Sequence, residues 1–228
     1  MSDATLLVVV ATDAEAPAVD RVEVLVSGIG KVAAADATAH RLASGPARAV
    51  ISFGGAGAYP GSELTLGDVV IAAEVALLDE GLETGEQFVA LDRPGLAVPG
   101  ARWLPADREL ARRLLETPAR APASWPRVER GRIGTVSVCA GTARLARERQ
   151  ATGALCEAME GAAVAVVAAR HGVPFAEVRG ISNQCGPRDE ARFDLDAAIR
   201  SAERVLGRLG RSDQGPGPYE ARPQRVPG

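Results

Sequence analysis

The hydrophobic pattern divides the chain into short apolar runs and longer Ala-rich segments. Residues 6–11 are wholly apolar, which is typical of a strand buried on both faces, and residues 22–26 alternate like a second strand. Later strands are predicted at residues 48–53, 68–78, 132–138 and 174–182. Strands that alternate with helices indicate an α/β fold with three layers, α/β/α, in which a central mixed, mainly parallel sheet lies between helices.

The segments between the strands predict the helices. These are residues 32–42, residues 107–115, a basic helix that follows Thr142 and ends near Gln150, residues 157–171, and residues 195–209. Residues 79–105 carry scattered Gly and Pro, so we expect irregular structure there. We expect residues 1–210 to form a single domain and the Pro- and Gly-rich residues 211–228 to form a disordered tail.

Composition and charge exclude several classes of protein. The 228 residues carry a net charge of −3, so we expect no nucleic-acid surface. The N-terminus lacks a basic n-region and no apolar run approaches about 20 residues, so we expect neither a signal peptide nor a membrane span. Three cysteines without metal-ligand spacing are typical of reduced thiols in a cytoplasmic protein. The two histidines, His40 and His171, are far apart, which argues against a His-based metal site or catalytic triad.

Two glycine-rich stretches follow predicted strands. Gly28 and Gly30 lie on a strand-to-helix turn, but Ala33 stands where a dinucleotide fingerprint needs its third glycine, so a tight turn is the better interpretation. Residues 54–57 read Gly-Gly-Ala-Gly directly after the third strand. Such a run lets a ligand approach the backbone closely, and a plain flexible turn is the alternative.

Polar side chains stand at three ends of the predicted core elements. Glu15 follows the first strand, Glu160 lies in the first turn of a helix, and Asn183 ends the last strand. Each has a structural explanation by itself, because Glu complements a helix N-terminus and Asn turns or caps a chain. Their joint placement at one edge of the sheet favours a site. Two carboxylates and an amide suit the cleavage of a glycosidic bond, whose transition state resembles an oxocarbenium ion.

Several motifs together resemble one enzyme superfamily. They are Ser27–Lys31 (SGIGK), Phe53–Gly57 (FGGAG), Met159–Ala163 (MEGAA) and Gly180–Asn183 (GISN). With these motifs, residues 6–209 resemble the purine nucleoside phosphorylase/nucleosidase superfamily. Within it, residues 179–199 (RGISNQCGPRDEARFDLDAAI) look most like the futalosine hydrolases, nucleosidases of menaquinone biosynthesis. The resemblance implies a nucleoside phosphorylase-like fold, hydrolysis of futalosine to hypoxanthine and dehypoxanthine futalosine, no cofactor or metal, and a homo-oligomer.

The resemblance also implies roles for particular residues. Glu15 would handle the attacking water, and Met159 and Glu160 would hold the ribose, with Glu160 on its hydroxyls. Gly55 and Gly57 would line the ribose and water side of the pocket. Thr142 joins the expected substrate-binding residues.

Asn183 departs from the adenine-cleaving nucleosidases, which carry Asp at this position. An amide NH₂ can donate to O6 and N7 of a 6-oxopurine, so Asn183 favours hypoxanthine over adenine. Phosphorylases of the superfamily hold phosphate with an Arg where this chain has Ser52, so water is the expected acceptor. The adenine nucleosidases stack an aromatic on the base near the position of Gly141, and none is present here. Phe193 is the expected substitute.

The benzoate carboxylate of futalosine would suit an arginine, and Arg188 is our hypothesis for it. The sequence leaves two alternatives open. The first is another nucleosidase or phosphorylase that acts on inosine-like or methylthio nucleosides. The second is a non-catalytic nucleoside-binding protein, against which the presence of both Glu15 and Glu160 argues. We expect a neighbouring subunit to complete the pocket, with residues 79–105 as the contact.

Overall fold

Strands and helices alternate along the chain much as the hydrophobic pattern predicts. The structure, a computed structural model, describes residues 5–85, 88–92, 98–118, 121–187 and 193–210. The strands are β1 (Leu6–Val10), β2 (Val22–Val26), β3 (Ala49–Ala58), β4 (Val69–Leu77), β5 (Gly81–Glu83), β6 (Phe88–Ala90), β7 (Leu104–Pro105), β8 (Val128–Thr135), β9 (Ala154–Ala158) and β10 (Phe175–Gln184). The helices are α1 (Lys31–Ala43), α2 (Arg108–Leu115), α3 (Ala143–Gln150), α4 (Gly161–Arg170) and α5 (Leu195–Gly210), with a 3-10 helix at Asp13–Glu15.

The main sheet is mixed and partly closes on itself. Its strand order is β10-β4-β8-β9-β3-β1-β2, with β7 beside β4, and β10 also pairs with β3. Five strands, β3, β10, β4, β8 and β9, therefore form a closed ring. The β1–β2, β1–β3, β3–β10, β4–β8 and β8–β9 pairs are parallel, whereas β4–β10, β3–β9 and β4–β7 are antiparallel.

Helices cover both faces of the sheet. The side chains of β1 alternate between two apolar clusters: Leu7 and Val9 belong to the cluster that includes α1 and α4, whereas Leu6, Val8 and Val10 belong to the one that includes α2 and α5. Because successive side chains of a strand point to opposite faces, a strand buried on both sides reads as a continuous apolar run. The predicted three-layer α/β architecture is confirmed.

The predicted helix at residues 157–171 is wrong in its first part. The segment Ala154–Ala158 is strand β9, and α4 begins at Gly161 with Glu160 as its N-cap. The sequence hid this strand because Glu157 interrupts its apolar run. Glu157 is nevertheless buried, since Tyr59 and Arg149 satisfy its carboxylate. A tertiary partner thus overrides the local pattern.

The glycine run is not a turn. Residues 54–57 continue β3, and they pair with β10 on one side. Strand β10 likewise runs on to Gln184, so Asn183 lies within the strand, just after an irregularity in the register between Ile181 and Asn183. Residues 79–105, expected to be irregular, contain the short strands β5, β6 and β7.

Other predicted boundaries shift by a few residues. The strand expected at residues 132–138 is Val128–Thr135, and Asp107 caps α2 as predicted by accepting hydrogen bonds from Glu109 N and Leu110 N. Residues 211–228, the predicted tail, lie outside the described residues. Within the described ranges, none of the helices is both long enough and apolar enough to span a membrane.

Candidate active site

Glu15 ends the 3-10 helix that follows β1. Its Oε2 accepts hydrogen bonds from Thr12 N and Thr12 Oγ1, both at 3.2 Å, and its Oε1 accepts one from Gly55 N at 3.1 Å. Only 8% of its surface is exposed. Donors on two separate segments therefore fix the carboxylate in one orientation at the carboxyl end of β1.

Glu160 joins the ends of β9 and α4 to the turn before α1. Its Oε1 accepts from Gly30 N at 3.0 Å, and its Oε2 accepts from Met159 N at 3.3 Å. Gly30 adopts φ 92°, a conformation that favours glycine, which confirms the tight turn expected there. With 6% of its surface exposed, Glu160 is held mainly by backbone donors.

Arg179 connects the two carboxylates, and the sequence did not single it out as a site residue. Its Nη2 donates to Ser52 Oγ at 2.8 Å and to Glu160 Oε2 at 3.4 Å, and its Nη1 donates to Gly55 O at 3.4 Å. Burial acts to lower its pKa, but Glu177, Glu160 and Glu15 together raise the pKa of Arg179 above its usual value. The available signal was Glu177 and Arg179, two charged residues on one face of a strand whose neighbours are mostly apolar and which therefore need partners.

The glycines of β3 give these side chains room to converge. A Cβ at Gly54 would lie 2.5 Å from Glu15 Oε1 and 2.7 Å from Arg179 Nη1, so both atoms lie directly against this glycine. A Cβ at Gly55 would lie 2.7 Å from Leu195 Cδ1, at the start of α5. The glycine run therefore allows side chains to approach the backbone closely, within a strand rather than a loop, and the predicted approach of a ligand stays a prediction.

Asn183 lies beside Gly57 in the β3–β10 pairing. Its Oδ1 accepts from Ser182 Oγ at 2.9 Å and its Nδ2 donates to Gln184 O at 3.1 Å. A Cβ at Gly57 would lie 3.2 Å from Asn183 Nδ2, so the amide sits over the strand. Contacts with neighbours thus set the orientation of an amide group that is half-buried.

The other expected substrate-binding residues differ in how far they are buried. Met159 precedes Glu160 and is half-buried, whereas Phe193 is 67% exposed beside Asp194, whose N donates to Ser182 O at 2.8 Å. Thr142 is exposed and caps α3, accepting from Leu145 N at 3.2 Å. Arg188 lies outside the described residues. Their roles toward a substrate stay predictions.

A second buried network supports the segment before α3. Glu157 accepts from Tyr59 Oη at 2.8 Å, from Arg149 Nη1 at 2.8 Å and from Ala140 N at 2.6 Å. Gly186 N, next to the end of β10, donates to Ala140 O at 2.9 Å. The network therefore ties the residue before Gly141 to the strand that carries Asn183.

The cluster is acidic and offers no metal site. Glu15, Glu160 and Glu177 surround the single guanidinium of Arg179. Among the described residues, no three His, Cys, Asp or Glu side chains are grouped as metal ligands would be. A buried cluster in which carboxylates outnumber the guanidinium suits a reaction that develops positive charge on its substrate.

Comparison with known proteins agrees with this geometry. Residues 15–211 match the family model described as the phosphorylase superfamily. The chain belongs to this superfamily. It is 34% identical over 195 residues to the futalosine hydrolase of Streptomyces coelicolor, covering 82% of this chain and 77% of that protein. It is also 34% identical over 194 residues to the 5'-methylthioadenosine/S-adenosylhomocysteine nucleosidase of Shewanella frigidimarina, covering 80% and 78%.

A solved structure extends the comparison to the fold of this phosphorylase-superfamily chain. A futalosine hydrolase mutant of Helicobacter pylori matches with a TM-score of 0.74, over 90% of this chain and 98% of that one, at 19% identity. That identity supports the nucleoside phosphorylase-like fold alone. The sequence relatives confirm the predicted enzyme class, an N-glycosyl hydrolase. The two relatives are equally identical to this chain in sequence, but they are named for different substrates.

Proposed function

We propose that the protein hydrolyses the N-glycosidic bond of futalosine, releasing hypoxanthine and dehypoxanthine futalosine in menaquinone biosynthesis. The observation that carries the proposal is Asn183, an amide where an adenine nucleosidase would need an acid. Its NH₂ suits O6 and N7 of a 6-oxopurine, both of which accept hydrogen bonds. As negative charge builds on the leaving base, such a donor stabilises the transition state.

Glu15 is the proposed general base. Its carboxylate is buried, is held in one orientation by Thr12 and Gly55 N, and lies directly against the Gly54 backbone. Taking a proton from water while C1' gains positive charge would let the hydroxyl add as the base departs. Glu160 is the proposed partner of the ribose hydroxyls, and its negative charge favours the oxocarbenium-like state.

Water rather than phosphate is the proposed acceptor. Ser52 Oγ already accepts a hydrogen bond from Arg179, and that guanidinium also contacts Glu177 and Glu160. With its charge shared among carboxylates, Arg179 offers little attraction to a phosphate dianion. Glu15 beside it would repel such an anion.

The alternative of a methylthioadenosine or S-adenosylhomocysteine nucleosidase is favoured by one observation, the equally similar Shewanella relative. Incubating the protein with futalosine, inosine and methylthioadenosine, each with and without phosphate, separates the candidates. We expect hypoxanthine release from futalosine at a rate independent of phosphate. Adenine release from methylthioadenosine as the faster reaction would support the alternative, and formation of ribose 1-phosphate would contradict a hydrolase.

A homo-oligomer is also proposed, through an exposed apolar patch beside the site. Ile29 and Val32, 63% and 83% exposed, flank Lys31, which forms an ion pair with Asp79. Asp79 Oδ2 in turn accepts from the N of Val138, which is 64% exposed. Because Gly30 in the same turn contacts Glu160, a subunit seated on this patch would border the pocket. Light scattering should give a dimer or larger species, and Val32→Glu should reduce it to monomer.

A further inference from the structure

One buried acid near the site has no direct role in the proposed reaction. Glu177 on β10 is fully buried, and its Oε1 accepts from Arg179 Nε at 2.7 Å. Its Oε2 is buried and has no hydrogen-bond partner in the described structure. A buried carboxylate oxygen without a hydrogen-bond partner costs stability, so this arrangement needs a compensating role.

The chain makes room for this carboxylate at the first residue of α4. A Cβ at Gly161 would overlap both carboxylate oxygens of Glu177. Gly161 is the first residue of α4 and follows Glu160 directly. Gly161 and Glu177 are therefore coupled: one residue lacks a side chain so that the other can reach Arg179.

Arg179 contacts the site through its opposite edge. The Nη atoms reach Glu160 Oε2 and Gly55 O at 3.4 Å each, and a Cβ at Gly54 would touch both Arg179 Nη1 and Glu15 Oε1. These contacts are long for a charge-assisted hydrogen bond, whereas the Nε contact to Glu177 is short. Arg179 Nη2 also donates to Ser52 Oγ at 2.8 Å, so the short contacts with Glu177 and Ser52 fix the guanidinium while its contact with Glu160 is longer.

We infer that Glu177 is a positioning residue for the hydrolysis, which anchors Arg179 by its Nε edge and keeps the guanidinium from closing on Glu15 and Glu160. The inference rests on the proposed N-glycosidic hydrolysis, and not on which nucleoside is cleaved. A tighter ion pair with Arg179 would make Glu15 a weaker base and reduce the negative charge that Glu160 presents to the ribose.

The charged neighbours set the direction of the pH effect. Arg179 and Glu160 face Glu177 directly, Glu15 lies beyond the guanidinium, and the buried thiol of Cys156 on β9 lies close enough to be influenced. Burial raises the pKa of Glu177, and Arg179 opposes this. Removing the Glu177 charge leaves Arg179 free to pair more closely with Glu15 and Glu160. The acid limb of the rate profile should then move to lower pH.

The test compares Glu177→Gln, Gly161→Ala and the double variant Gly161→Ala/Glu177→Ala with the wild-type protein. Glu74→Gln is the matched control. It removes a strand carboxylate that lies away from the site and forms an ion pair with Arg132 at 2.8 Å. We expect Glu177→Gln to lower kcat about 10-fold or more, to leave KM within about twofold, and to shift the acid limb to lower pH.

The stability of the variants tests the coupling separately. Gly161→Ala alone should lower Tm because its Cβ meets the carboxylate, and the double variant should regain Tm while keeping the low kcat. An unchanged kcat and pH profile in Glu177→Gln would overturn the positioning role, and an undiminished Tm in Gly161→Ala would overturn the coupling. Rates are measured on whichever nucleoside the wild type cleaves, so a wrong substrate assignment does not affect this result.

Discussion

At the scale of single residues, the site is built from carboxylates that backbone donors hold. Glu15 and Glu160 each accept hydrogen bonds on both oxygens. In each case one donor is close in sequence, Thr12 or Met159, and the other comes from a distant segment, Gly55 or Gly30. Such pre-orientation means that little reorganisation is needed when charge develops on the substrate. Asn183 has a comparable arrangement, since hydrogen bonds with Ser182 and Gln184 fix the orientation of its amide.

Glu15→Gln should lower kcat by about 10²–10⁴-fold with little change in KM, because an amide of the same shape cannot accept the proton from water. Steady-state kinetics on the best nucleoside substrate would measure this. The control is Glu148→Gln, which removes an exposed carboxylate paired with Arg144 on α3. If Glu15→Gln kept the wild-type kcat, Glu15 would be excluded as the general base.

Asn183→Asp should reverse the base preference. An Asp places an oxygen against Gln184 O, which favours the protonated acid and the donor–acceptor pair that adenine requires. We expect hypoxanthine release to fall about 10–100-fold and adenine release to rise. The ratio of kcat/KM for matched inosine and adenosine nucleosides would report the change. Asn183→Ala should lose activity toward both, and an unaltered ratio in Asn183→Asp would argue against base reading at this residue.

At the scale of elements, β3 is the strand on which the site depends. It pairs with β1, β9 and β10, and its glycines lie against side chains from the 3-10 helix, α5 and β10. Three glycines within four residues weaken a strand. In β3 this weakness is offset because the closed ring of strands gives it pairing partners on both sides. The glycines lie where the candidate site side chains must approach the backbone of β3.

Gly54→Ala should reduce kcat at least about 100-fold, because the added methyl displaces Glu15 Oε1 and Arg179 Nη1 together. The matched control is Gly207→Ala in α5, where a Cβ would meet no atom within 4 Å. That control should keep full activity and gain about 0.5–1 kcal/mol of helix stability. Steady-state kinetics and thermal unfolding of both variants measure these effects. Equal kcat in the two variants would show that a side chain at Gly54 does not displace Glu15 and Arg179.

At the scale of the whole molecule, charged side chains join segments that are far apart in sequence. Asp79, after β4, pairs with Lys31 at the start of α1 and accepts from Ser137 N at 2.6 Å and Val138 N at 3.3 Å after β8. Arg149 of α3 lies 3.7 Å from the same carboxylate and also binds Glu157. These links hold the turn that carries Gly30 and the segment before α3 around the site.

Asp79→Asn should therefore lower stability in a pH-dependent way. Burial opposes ionisation, but Lys31 and the two backbone N–H donors hold the pKa of Asp79 below its ordinary value of 3.8. A group whose folded-state pKa is depressed contributes stability above its unfolded value and loses it as pH falls through the folded value. The Tm difference between wild type and variant should be full at pH 6–7 and shrink below about pH 4. A constant difference across this range would contradict the assignment.

Elements with a clear hydrophobic period were predictable from the sequence, whereas elements that depend on distant partners were not. The run at residues 6–11 and the helix at residues 195–209 were predictable, because burial on two faces or on one leaves a direct imprint on the apolar pattern. Strand β9 was missed, because its Glu157 is buried only through contacts with Tyr59 and Arg149. No local pattern records a partner that lies far away in the chain.

By itself, the sequence determined the layered α/β class and the identity of Glu15, Glu160 and Asn183 as the candidate reactive groups, since these follow from local periodicity and residue type. Only the tertiary structure decided that residues 54–57 continue a strand, that five strands close into a ring, and that Arg179 lies between the carboxylates with Glu177 behind it. The physical reason is that strand pairing and buried ion pairs are long-range contacts. Their free energy depends on which segments meet, and that is set by the fold as a whole.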